Sequence, residues 1–223
     1  MSKRKSLDPP LTLYVFEHPD CGDHDTYNAV DGTEHQESAA RLPAIRERLE
    51  TMKGVVFTSN FPPASIEAMQ RVHSDAYLKV LSSVEQQYDS GTLNGTRPLS
   101  PHVVPALFPG APVHGMTLVS RGSLRAARRA AGSVIAAIDA VLENHAARKD
   151  DRTPPVHAFC LVRPPGHHAM VDGYDPVAGG CGFCLLNNIA IGAAHAISCR
   201  GLKVAIVDFD VRLARLLALP CHS

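Results

Sequence analysis

The chain has no excess of either charge, no long apolar run and no repeat, and each absence removes a class of function. Its 22 Lys and Arg are balanced by 22 Asp and Glu, which leaves no electrostatic case for nucleic acid or an anionic membrane. No stretch is apolar over a membrane-spanning length, and the start, MSKRKSLDPP, lacks the hydrophobic centre of a signal peptide. The KRK within it reads as solvated terminal charge, with a nuclear address as the alternative. No low-complexity tract occurs either. Six cysteines in a chain without an export signal imply reduced thiols and a cytoplasmic or nuclear compartment.

What the chain does have is a core and histidine. Hydrophobic residues make up 45% of its 223 positions, enough for one domain with a sizeable interior. Twelve histidines are the compositional oddity, because imidazole serves both as metal ligand and as general base near neutral pH.

Periodicity places the elements. Leu11 to His18 alternates and predicts a strand. AARLPAIRERLETM has Leu42, Ile45 and Leu49 on one helical face, and a second helical region runs from about Ser65 to Gln87. Its apolar positions are Ile66, Met69, Val72, Tyr77, Val80 and Leu81. Residues 89–122 hold five prolines and read as irregular. Ser123 is the expected N-cap of a helix with the stripe Leu124, Ala127, Ala131, Val134, Ile138 and Val141. VHAFCLV (156–162) predicts a strand buried on both faces, FCLLNNIAIGAAHAI a buried helix, and LKVAIVDFD another buried strand. Strand, helix, strand makes a βαβ unit with parallel strands.

Ligands in parallel sheets bind beyond the carboxyl ends of strands. RPPGHH follows the first strand of that unit and DFD ends the second, so His167, His168, Asp208 and Asp210 are expected at one edge. Two imidazoles and two carboxylates suit metal-assisted hydrolysis, in which a zinc ion with an open position acidifies water and a further carboxylate orients a histidine. Taken alone, a His pair in a loop is as readily a pair without a role.

Three motifs in order settle on a resemblance. RPPGHHA, GFCLLNNIAI and KVAIVDFDV resemble the core motifs of the zinc-dependent histone deacetylases, closest to the class II branch with its acetoin-utilization and acetylpolyamine-amidohydrolase relatives. HQESAARL and RVHSDAYLKVL resemble further stretches of the family upstream. The resemblance implies a three-layer α/β/α fold with a parallel sheet, of the arginase/deacetylase type, its C-terminal part missing. Residues 1–211 would be the N-terminal part of that domain and 212–223 a tail outside the family pattern. It also implies roles: His167 as the imidazole paired with Asp208, His168 as the general base, Asp210 as the first of three metal ligands. Gly182 and Phe183 would line the acyl-lysine channel, and Arg41 an inner cavity. The cofactor implied is Zn²⁺, and the substrates an acetylated protein or a small acyl-amine.

The resemblance breaks after Val211. The family pattern continues with histidines, the first a metal ligand, whereas Arg212 stands at that position here. A guanidinium cannot ligate a cation. No counterpart of the third ligand or of the oxyanion tyrosine follows, so zinc is not expected to be retained and the chain as written is expected to be inactive, an active lineage with an incomplete gene model. The alternative is a catalytically dead fragment that acts only by binding. The Leu-, Ala- and Arg-rich tail has the composition of GC-rich sequence in another frame or an unspliced intron. Met116 stands where many relatives carry a substrate-gripping aspartate.

Other motifs carry less. Cys181-Gly-Phe-Cys184 lacks the second pair of a structural zinc site, and a redox pair is the minor alternative. Cys160 and Cys199 are expected as inert core thiols, and Cys21, His24 and His35 as loop residues rather than ligands. VAIVDFD also fits a phosphatase with a strand-end nucleophile, though Val211 and Arg212 follow where a Thr is usual.

Overall fold

The computed structural model describes residues 12–27, 35–113, 117–148, 154–176 and 180–210. Met116, Arg212, Cys221 and the tail after residue 210 lie outside the described residues.

Three parallel strands form the centre. They are β1 (Thr12–Glu17), β2 (Val55–Thr58) and β5 (Val156–Leu161), in the order β2-β1-β5. β1 pairs with β2 from Leu13↔Val55 and with β5 from Thr12↔Val156. Side chains alternate across the middle strand. Val15 packs with Leu49 and Leu161, beside Leu42 and Ile45 of α1 (Arg41–Glu50). Phe16, its neighbour, packs with Phe61 and Ala137 on the face covered by α5 (Ser123–Ala147). Helix, sheet, helix is therefore the layer order, and the three-layer α/β/α expectation holds.

The main core lies beyond α5. It gathers α2 (Ile66–Gln70), α3 (Asp75–Asp89), α4 (Ser100–Leu107) and α6 (Asn188–Arg200) around Met69, Tyr77, Leu81, Val103, Leu185 and Ile191. A short antiparallel pair, β3 (Arg97–Pro98) and β4 (Leu118–Val119), flanks it.

Several expectations need correction. The helical region after Ser65 is two helices, because Ser74 leaves the helix to cap α3 through the Tyr77 N–H and donates its own N–H to Val171. Ile66, placed in the apolar stripe, is exposed at the start of α2. The supposedly irregular stretch contains α4, whose Pro101 sits in the first turn, where a missing N–H costs nothing. Gly122, at φ 109°, occupies the N-cap of α5, one residue before Ser123. FCLL is a loop with Cys184, Leu185 and Leu186 buried, and α6 begins only after Asn187, whose side chain accepts from the Ala190 N–H.

The largest correction concerns the second strand of the βαβ unit. Residues 201–210 form no strand, and Val207 and Phe209 are 83% and 93% exposed. A parallel strand of this composition needs helices over both faces and a ladder partner. Every residue of 202–209 except Ile206 is exposed, and α6 packs on α5. Among the described residues β5 is consequently an edge strand, with Phe159 exposed rather than buried.

Candidate active site

Beneath the RPPGHH loop lies a buried ion pair. Arg163 is 2% exposed and follows the end of β5. Its Nε donates to Glu37 Oε1 at 2.6 Å, its Nη2 to Glu37 Oε2 at 2.7 Å and its Nη1 to the His24 carbonyl at 2.8 Å. This bidentate fork ties the loop before α1 to the end of β5. His24 Nε2 lies 3.5 Å from the same carboxylate, and its Nδ1 shares a 2.8 Å hydrogen bond with Ser123 Oγ. Burial first, then the Arg163 charge, pushes His24 down to about 3, so the ring is neutral.

Past Arg163 the backbone turns tightly. A Cβ on Gly166 would lie 2.5 Å from the Asn188 N and the Leu186 carbonyl, so only glycine allows the loop to rest on the start of α6. Asn188 donates to the Pro164 carbonyl at 3.1 Å, and Asn187 to the Ala169 carbonyl at 3.0 Å. His73 completes the scaffold: its Nε2 accepts from the Asn187 N–H at 2.9 Å while Nδ1 faces the Val171 carbonyl at 3.2 Å. Burial holds it neutral, at about 4. Tyr77, on α3, donates to the Leu185 carbonyl at 2.7 Å.

These contacts present the two imidazoles side by side, with centroids 4.2 Å apart. His167 Nδ1 and Asp208 Oδ2 are 2.8 Å apart. Asp208 is held below the usual carboxylate range, first by the Asp210 N–H and then by His167. Asp210 Oδ2 lies 3.7 Å from His167 Nε2 and 3.4 Å from His168 Nε2. The donor atoms of His167, His168 and Asp210 all fall within 4.8 Å of one another, the one such group among the described residues. Cys21, His24 and His35 form none.

Gly182, at φ 52°, lies against the His168 ring, where a Cβ would approach Cδ2 to 2.5 Å. Phe183 also takes a left-handed backbone, at φ 67°, and its ring meets His35 edge-on at 4.5 Å. Arg41 is different from its expectation. Its side chain is 57% exposed on α1, 3.8 Å from Glu37, and the buried arginine of this region is Arg163. The first turn of a surface-facing helix cannot reach an interior that Arg163 already fills. Burial raises Cys181 to about 11 and Cys184 to about 12, so neither is a thiolate suited to metal or redox work. Cys199, expected in the core, is exposed. A cavity of about 280 Å³, lined by Leu81, Val84, Tyr88 and Leu124 among others, contains none of the site histidines.

Glu37, Arg163, His73 and the Asn187–Asn188 pair lie inside the motifs that carry the resemblance but have no role assigned from sequence, and His24 reads there only as a loop residue. Two signals were available: a charged residue closing an apolar strand, and Asn-Asn directly before a helical run.

The chain is similar to known proteins along most of its length. The histone deacetylase domain model matches residues 35–212. Histone deacetylase 14, chloroplastic, of Arabidopsis thaliana is 34% identical over 187 residues, covering 79% of this chain and 38% of that protein. Acetylpolyamine amidohydrolase of Burkholderia pseudomallei is 31% identical over 215 residues, covering 89% of this chain and 57% of its own. The chain thus spans less than two thirds of these relatives. The crystal structure of the HDA15 HD domain shares the fold with a TM-score of 0.59 at 24% identity, over 85% of this chain and 45% of that one.

Proposed function

The chain belongs to the histone deacetylase family of hydrolases, and on that premise we propose that His167, His168 and Asp208 are the proton-handling part of a site for hydrolysing acyl-lysine or related acyl-amine amides. The observation that carries this is the 2.8 Å contact of His167 with Asp208 beside a second imidazole. Asp208 accepts from Nδ1–H, which leaves Nε2 as the nitrogen that takes or gives a proton, and it stabilises the imidazolium that results. His168, supported by Gly182, is the general base that takes the proton of the attacking water. Gly182 and Phe183 line the path of the acyl chain. The substrate is an acetylated protein or a small acyl-amine, and the cysteines among the described residues, all free, fit a reducing cytoplasm or nucleus.

The family's metal-ligand pattern is not met. Asp210 is present, but the residue at the next ligand position is Arg212, a fixed cation with no lone pair to give. No reaction step is therefore assigned to a metal in this chain, and the 223 residues are expected not to turn over. Arg212 also favours a second reading, in which the chain works only by binding.

The test compares acetyl-lysine peptide hydrolysis by the chain, by its Arg212→His variant, and by a chain whose residues 212–223 are replaced with a family C-terminal region. The first two should be inactive. The third should turn over and lose activity on His168→Ala. Turnover by the unaltered chain or by Arg212→His alone would show that the 223 residues suffice, and an inactive replacement chain would sink the lineage reading.

A further inference from the structure

The cavity of about 280 Å³ away from the histidines has an apolar floor and a charged rim. The floor is Leu81 and Val84 of α3, Leu185, and Leu124 of α5, all in the main core or packed on it. The rim carries both signs of charge. Glu85 and Asp89 stand one turn apart on α3, while Arg121 and Arg128 come from the turn before α5 and from α5 itself. Arg121 Nη2 donates to the Tyr88 carbonyl at 2.6 Å, and Arg128 Nε to the Ala64 carbonyl at 3.2 Å. Both acceptors are neutral, so each guanidinium keeps its charge and its remaining N–H donors. None of these four residues makes an ion pair among the described residues. Arg125 also lines the cavity, but Asp23 meets its charge at 2.6 Å. Burial first, then Asp89, raises the Glu85 carboxyl, and Arg128 opposes both.

Two unpaired charges of each sign around one apolar floor do not select a simple anion or a simple cation. Either would find half of the rim repulsive, whereas a zwitterion satisfies both halves. We infer that the cavity binds a small zwitterion with an apolar side chain, of the α-amino acid class. Its carboxylate meets Arg121 and Arg128, its ammonium meets Glu85 and Asp89, and its side chain rests on Leu81 and Leu124. The volume sets the size. It falls just under the roughly 300–1,000 Å³ of pockets for drug-sized ligands, so a molecule of about ten non-hydrogen atoms fits. A residue inside a peptide lacks both charged groups and is excluded on chemistry as well as on size. Neither His167 nor His168 lines the cavity, so the inference does not rest on hydrolysis.

The experiment is saturation-transfer NMR on the 223-residue chain with L-leucine, 3-methylbutylamine and 4-methylpentanoate as probes. The three share one hydrocarbon body and differ only in carrying both charged groups, the ammonium alone or the carboxylate alone. L-Leucine should bind with a Kd of roughly 0.1–1 mM, as suits so small a ligand. Each one-headed probe should bind about tenfold more weakly or worse, because it leaves half of the rim unmet. Glu85→Gln should weaken L-leucine and spare 4-methylpentanoate. Arg128→Gln should weaken L-leucine and spare 3-methylbutylamine. Leu124→Trp fills the floor and should abolish binding of all three. Should a variant fail to fold, the unaltered chain still reports the place: NOEs should connect the L-leucine methyls with those of Leu81 and Leu124. No saturation transfer from about 10 mM L-leucine to a folded chain would overturn the inference. So would an amine or acid that binds as well as the zwitterion, full L-leucine affinity in Glu85→Gln, or NOEs confined to other residues.

Discussion

Glu37→Gln tests whether the buried ion pair holds the loop that carries the histidines. Glu37 and Arg163 are 3% and 2% exposed, and the carboxylate takes two of the guanidinium's hydrogen bonds, at 2.6 and 2.7 Å. Gln keeps the shape but withdraws the charge, which strands a cation away from water. Breaking one side of such a pair costs about 3–5 kcal/mol. That is a large part of the roughly 5–15 kcal/mol by which a domain is stable. With a urea slope of ~2–3 kcal/mol/M, the midpoint should fall by about 1–2 M.

A double substitution separates charge from packing. Glu37→Leu with Arg163→Met removes both ions, so no desolvated charge remains, and most of the loss should return. The lost contact of Arg163 with the His24 carbonyl keeps the recovery incomplete. Far-UV circular dichroism against urea, at low micromolar protein, reads all three chains. If Glu37→Gln shifts the midpoint by less than about 0.3 M, the pair carries little energy and the reasoning fails. A double variant as unstable as the single one would show that packing, not stranded charge, is responsible.

Three further outcomes follow from the same contacts. His24 and His73 titrate near 3 and 4 in the fold against 6.5 ordinarily, so the unfolded chain takes up their protons first. Their contribution is full above about pH 6.5 and is lost as pH falls toward 4 and then 3, by a few kcal/mol in all; an unchanged urea midpoint between pH 7 and 4.5 would contradict this. Gly182→Ala puts a Cβ 2.5 Å from the His168 ring on a left-handed backbone, so it should destabilise the chain by about 1 kcal/mol or more; an unaltered urea midpoint would count against the placement of His168. The open edge of β5 and the exposed Val207 and Phe209 should make the chain self-associate with concentration, and Phe209→Lys should reduce it; a monodisperse monomer in sedimentation with a sharp melt would refute this.

How much of this was legible depends on where the determining contact lies. β1, α1 and α5 showed in the sequence because their own side-chain periods report which face is buried. The break between α2 and α3 did not, because the Ser74 N–H bonds to Val171, nearly a hundred positions away, and no local pattern encodes that. α4 was hidden by its prolines, which matter less in an eight-residue helix with one of them in the first turn. The Glu37–Arg163 pair was invisible for a related reason. Each residue alone looks like surface charge, and only their meeting across 126 positions makes burial affordable.

The site itself was legible as a place more than as an arrangement. Strand ends brought the His pair and the DFD stretch to one edge, although the second strand does not form. Their juxtaposition survives because it does not depend on a ladder. Asp208 Oδ1 accepts the Asp210 N–H at 3.0 Å, a local turn that holds the two carboxylates close together without neighbouring strands. Asp208 Oδ2 is then left for His167, and Asp210 for both imidazoles. A spacing of two residues would serve a strand as well, since alternate side chains share a face. The sequence pattern is therefore compatible with either backbone, and only the hydrogen bond between the aspartates decides which nitrogen meets which oxygen.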